Sequence, residues 1–254
     1  MSTRSPATST TRPARRRRAP GWVPNQHGAW AMLASPLLLG ALAAGLAWIH
    51  LPLAAFWFAG YFAFNAASLW LKSGRKSRFA RPVQVYAVLA AALGLLTAAL
   101  GPALVRWAPW FLIPLGVGMW AAARRRERDL LAGVTTVVGS ALMTVVAYHA
   151  GGGADLHRAA ILAAGQFLYF AGTVFYVKSM IRERDNPRFL WTSIGFHAAS
   201  ALLLAVLAPW VAGVFVVLTV RAWWVPRLGW TPKQVGIAEI VATAAVALVS
   251  LFTV

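Results

Sequence analysis

Cysteine is absent from this chain of 254 residues, and carboxylates are nearly so: six acids stand against 24 lysines and arginines. Without cysteine there is no disulfide, no thiol redox chemistry and no thiolate metal site. Charge is scarce altogether, at 12% of residues, where a soluble domain carries roughly 25%. With 59% apolar residues and a mean hydropathy of +0.64, a soluble globule is excluded. A net charge of +18 would in a soluble protein point to nucleic acid. Here the basic residues come in short runs between apolar stretches of about 20 residues, so the expected partner is a lipid bilayer and no nucleic acid is expected. A nucleotide loop, metal-ligand spacing and a nucleophile beside a base are also missing, and no cofactor is expected. The five histidines, at 27, 50, 149, 157 and 197, offer no convincing pair for a haem.

The apolar stretches fall at roughly 28–48, 51–71, 83–101, 106–123, 130–149, 158–177, 190–208, 210–224 and 235–253. The fourth is interrupted by Arg106 and Pro114, and the eighth is short. The expected fold is therefore all-α, a polytopic transmembrane bundle of nine helices. If the N-terminus is cytoplasmic, 22 of the 24 basic residues fall in the tail or in loops on that side, leaving only Arg106 and Arg158 outside. That alternation places the chain in the cell's inner membrane with its C-terminus outside. Residues 1–21, with Arg15–Arg18, read as a disordered basic tail suited to an anionic leaflet. Residues 22–254 read as one membrane domain. A cleaved signal is the rival reading of the tail, but the apolar run behind it opens with PNQHGAW and contains Pro36.

Polar residues recur at helical spacing in several stretches. The second carries Tyr61, Asn65, Ser68 and Lys72; the fifth Thr136, Ser140, Thr144 and Tyr148; the sixth Gln166, Tyr169, Thr173 and Tyr176, followed by Lys178; the seventh Ser193, His197 and Ser200; the ninth Glu239 and Thr243. In the bland account, hydroxyls bond their own helix and amides glue helices together. Depth argues for more. His27, Asn65, Ser68, Lys72, Thr136, Tyr176, Lys178, His197 and Glu239 all fall in the cytoplasmic half, as a single polar cavity would require, roofed by the loops Lys72–Arg81 and Lys178–Arg188. Glu239 is the only acid well inside an apolar span. It and His197 form either a proton-responsive couple or a structural hydrogen bond between the seventh and ninth helices.

Two resemblances add to this. The string PNQHGAW at Pro24–Trp30 resembles the opening of the YwiC-like integral membrane proteins, and the likeness extends to the last helix. Asn65 near the end of the second helix, with Arg81-Pro82 sixteen residues on, resembles the UbiA-type intramembrane prenyltransferases. That family holds magnesium on a prenyl diphosphate with two Asp-rich motifs. Here Lys72, Arg75 and Lys76 stand where the first acids belong, and YVKSMIRERDNPR replaces the second motif. Too few carboxylates remain for a magnesium centre, so the resemblance implies a UbiA-like bundle without metal-dependent transfer. Basic loops would instead meet an anionic head directly. The resulting expectation is an isoprenoid or anionic-lipid ligand held by Asn65, Lys72, Arg75, Arg81, Lys178 and Arg182. His27, Ser68, Tyr176, His197 and Glu239 would line the cavity. A permease, or a subunit of a larger complex with a protein partner that the residues do not name, are the competing readings.

Overall fold

The computed structural model describes residues 21–24 and 27–254. The expected tail over 1–21 lies outside those residues except for Gly21, as do Asn25, Gln26 and the His27 side chain. Nine α-helices follow one another among the described residues, with no strand: α1 (His27–Ala44), α2 (His50–Lys72), α3 (Ala80–Leu100), α4 (Leu112–Ala123), α5 (Leu130–Ala150), α6 (Leu156–Ile181), α7 (Pro187–Leu207), α8 (Pro209–Trp224) and α9 (Pro232–Thr253). Seven spans are long and apolar enough to cross a membrane, which is the pattern of a multi-pass helical membrane protein.

The fourth stretch differs in part from expectation. Its interruption falls around Arg106, as expected, where Pro102–Phe111 forms a 3-10 helix containing Pro109, and not at Pro114. Pro114 is the third residue of α4, where an N–H has no intrahelical partner, so proline costs no hydrogen bond. α4 itself has 12 residues and is about 18 Å long, too short to cross alone. The eighth span is longer than expected, because the 3-10 turn Val225–Leu228 continues α8. It stops at Gly229 in the left-handed region. Thr231 and Gln234 then start α9 with a reciprocal capping box. Asp155 caps α6 and Asn186 caps α7 with the side chain alone, each accepting from a backbone N–H three residues on.

α1 is the central element. Pro36 has no N–H, so the carbonyl of Met32 one turn earlier loses its intrahelical donor. Ser140 of α5 supplies a hydroxyl to that carbonyl instead, and Trp57 of α2 donates to the adjacent Leu33 carbonyl at 3.1 Å. One turn further on, a Cβ at Gly40 would lie 2.2 Å from the Thr144 carbonyl. Only glycine lets α1 approach α5 this closely, the usual device for helices that gain nothing from hydrophobic contrast in lipid. α1 also packs against α6 and α9 and more lightly on α2, while α2 packs on α3 and α4. α2 makes no substantial contact with α6 to α9, so α1 and α5 stand between the two groups.

Contacts between loops define two ends. At one, the Trp22 carbonyl accepts from Tyr86, and Arg125 donates to the Lys72 carbonyl. Lys72 also pairs with Glu127 at 3.0 Å. Across the same end, Met180, Val225, Val235 and Trp230 form a small cluster. This is the arginine-rich end. At the other, His50 bridges Ala47 and the Ala147 carbonyl, Arg106 and Trp107 donate to His149, and Val254 packs near Leu39 and Leu162.

Candidate functional site

Among the described residues, the densest buried polar group lies between α6, α8 and α9, about one to three turns in from the arginine-rich end. Glu239 directs Oε2 to two hydroxyls, Thr173 donating at 2.7 Å and Tyr169 at 3.0 Å. Tyr169 is buried and also lies 2.9 Å from Thr243 and from the Glu239 carbonyl. The other carboxylate oxygen, Oε1, is 2.6 Å from Nη1 of Arg221. Both side chains are mostly buried, at 12% and 14% exposure. That contact is an ion pair by distance but is not aligned as a hydrogen bond. All three guanidinium nitrogens and Oε1 thus remain without an aligned partner. The guanidinium lies over the ring of Tyr176, 4.3 Å from its centre, and the Tyr176 hydroxyl is buried with no partner. Arginine over an aromatic face gains cation–π attraction when desolvated.

The expected couple between His197 and Glu239 is not formed. Glu239 has Arg221, and His197 uses Nδ1 to reach the carbonyl of Ser193 in its own helix at 2.8 Å. The reason is spatial: the His197 ring stacks onto α6 at Gly172, where a Cβ would lie 2.8 Å from Nε2. Glu239 meanwhile faces the 169–173 turn. Loop charge alone places Arg221 among the cytoplasmic-side loop cations, but it lies in the last turn of α8. Its place within the apolar stretch 210–224, just before the tandem Trp223-Trp224, is the signal that it belongs to the helix and not to the loop, since Trp is enriched near span ends.

A second polar wall belongs to α2. The Nδ2 of Asn65 and the hydroxyl of Tyr61 are buried without partners, and Trp30 of α1 packs its ring against Phe58, Tyr61 and Phe62. Ser68 is half-buried nearby in sequence, while Lys72, Arg75 and Arg81 are exposed. Arg75 sits over Trp70, at 5.7 Å from the ring centre. Lys178 of α6 is half-buried, and Arg182 just past its end is exposed. The expected residues are therefore not one lining. Asn65, Ser68, Lys72, Arg75 and Arg81 lie on the α2–α3 side, and Tyr176, Lys178, Arg182, His197 and Glu239 on the α6–α9 side, with α1 between.

Two surface grooves among the described residues lie away from these walls. One of about 460 Å³ runs along α3 past Gln84, Val88 and Leu89, and one of about 170 Å³ lies beside Pro114 and Thr135. Both are almost wholly apolar. Among the described residues no three carboxylate or imidazole groups converge as a metal site. Glu183, one of the two acids after α6, is taken up by the side chain of the α7 cap Asn186 at 2.9 Å.

The YwiC-like protein family model matches residues 23–148, from just before α1 to near the end of α5. The uncharacterised protein YwiC of Bacillus subtilis (strain 168) is 34% identical over 221 residues, covering 86% of this chain and 92% of that protein. The chain belongs to the YwiC-like family. An uncharacterised protein of Haemophilus influenzae is 30% identical over 224 residues, 87% of this chain and 94% of its own. No solved structure matches. The two walls divide unevenly over the family model: the α2 wall lies inside it, while Arg221 and Glu239 lie beyond it.

Proposed function

We propose that this YwiC-like protein binds the anionic head of an amphiphile, an isoprenoid phosphate or an anionic lipid, at its arginine-rich end. In this reading the end faces the cytoplasm and the protein sits in the inner membrane, with the N-terminus inside and the C-terminus outside. The observation that carries it is where buried donors lack partners. Asn65, Tyr176, Ser193 and Arg221 lie in the half of the bundle beneath the basic loops, whereas Tyr61 and Gln166 lie nearer mid-depth and Thr144 and Arg158 toward the other end; the first four include the charged donor Arg221, with three nitrogens lacking an aligned partner. A buried donor left unmade costs about 1–3 kcal/mol, so several in one region point to water or ligand atoms that complete them. Lys72, Arg75 and Arg81 supply charge above the α2 wall, and Lys178 and Arg182 above the α6–α9 wall. The first turn of α1, with His27 and Trp30, stands between the two walls. In the UbiA-like reading of the bundle, the same end would hold a prenyl diphosphate, by arginine and lysine in place of magnesium.

The test is native mass spectrometry of the protein from native nanodiscs, with extraction of the lipids that remain bound. A stoichiometric anionic lipid or isoprenoid is expected, and it should be lost in the Lys72→Gln, Arg75→Gln, Lys178→Gln triple variant. Retention of that lipid by a folded triple variant overturns the proposal.

A further inference from the structure

We infer that Arg221 is the deep binding residue of this site, and that Glu239 is its exchangeable counter-ion: Arg221 leaves Glu239 to take the oxyanion of an entering amphiphile, a carboxylate or a phosphate. The inference rests on the anionic-ligand reading above and deepens it, because it names the cation that meets the head inside the span.

Four features of the geometry carry it. Arg221 makes one charge contact, at 2.6 Å from a single carboxylate oxygen, without the aligned fork that a guanidinium forms in a settled bidentate pair. Its Nε and Nη2 have no partner at all, although the residue is almost nine-tenths buried. Glu239, by contrast, is held independently of Arg221, since Thr173 and Tyr169 both donate to Oε2. When the arginine swings away, two hydroxyls still solvate the carboxylate, so the pair can open without orphaning the acid. Finally, Tyr176 offers a ring beneath the guanidinium and an unused hydroxyl beside it, a second donor for the same oxyanion.

The position suits an exchange. Arg221 is in the last turn of α8, with the exposed Trp223 and Trp224 just beyond it. A long side chain near a helix end can reach toward the interface without moving its backbone. The other five acids, Glu127, Asp129, Asp155, Glu183 and Asp185, lie in loops, so Glu239 is the one intramembrane competitor for the guanidinium. Lys178 of α6 and Arg182 just past its end follow Tyr176 and make the approach from the arginine-rich end attractive to an anion.

The full chain in phosphatidylcholine nanodiscs is titrated with dodecyl phosphate and with dodecanoate, and bound probe is read by native mass spectrometry alongside the melting temperature. Glu239→Gln keeps an acceptor for Tyr169 and Thr173 but removes the competing charge, and binding should tighten about tenfold. The charge-balanced double variant Arg221→Gln, Glu239→Gln should bind about tenfold more weakly than the wild type. A merely structural ion pair predicts lower melting temperatures and no gain of binding in Glu239→Gln. Unchanged or weaker binding in folded Glu239→Gln, or wild-type binding in the double variant, overturns the inference. If the double variant binds normally while the Lys72, Arg75, Lys178 triple does not, the anionic-ligand reading stands and this inference falls. If the wild type takes up neither probe, both fall. Binding through Arg221 supports the inference with either probe, and the preferred one identifies the head.

Discussion

Pro36 and Ser140 act as one unit although 104 positions separate them. The proline deprives the Met32 carbonyl of its donor, and the serine replaces it from the neighbouring helix. Ser140→Ala should therefore destabilise the protein by about 1 kcal/mol, the scale of an interhelical hydrogen bond in a membrane. The same change in a Pro36→Ala background should cost much less, because the helix then satisfies its own carbonyl. Thermal melts in detergent of the four proteins would read the coupling, and equal shifts in both backgrounds would refute it. Gly40→Ala should cost about 1–3 kcal/mol by forcing α1 off α5, while Gly60→Ala, with open space at its Cβ, should leave the melting temperature unchanged or slightly raised. Each of these residues is visible in sequence as a breaker, a polar step or a small residue. Their pairing is not, because the register of two packed helices is set by side-chain shape on both.

Among elements, the loops carry the more modest interactions. Lys72 pairs with Glu127, but the lysine is 46% exposed, and exposed pairs contribute about 0–1 kcal/mol. Lys72→Gln should accordingly leave the melting temperature nearly unchanged, and a marked fall would show that the loop contact is structural. That near-neutrality is what allows loss of a bound lipid in the triple variant to be read as loss of the head contact. Nine helices were legible from hydropathy, and their ends agree with the apolar stretches to within a few residues at most boundaries. The 3-10 helix over Pro102–Phe111 was not. Pro102 and Pro109 mark trouble for an α-helix there, but whether the chain stops, kinks or tightens depends on what packs beside it, here α3, α4 and α5.

For the molecule as a whole, the proposed orientation has a direct check that the missing cysteines make clean. Ser77→Cys and Arg184→Cys lie at the arginine-rich end, and Ala103→Cys and Gly152→Cys at the other. In intact cells an impermeant maleimide should label only the second pair, and labelling of the first pair alone would invert the topology. By itself the sequence determined the class, the number of helices and the end at which positive charge collects, since hydropathy and loop charge are properties of neighbouring residues. It also marked Glu239 as unusual, because one acid in an apolar run is conspicuous without any fold. The tertiary structure alone decided what Glu239 meets. Arg221 lies on a different helix, His197 faces Gly172 instead, and α1 with α5 separates the α2 wall from the α6–α9 wall. Which side chains converge inside a bundle is set by helix rotation and close approach, and these depend on packing between distant stretches of chain.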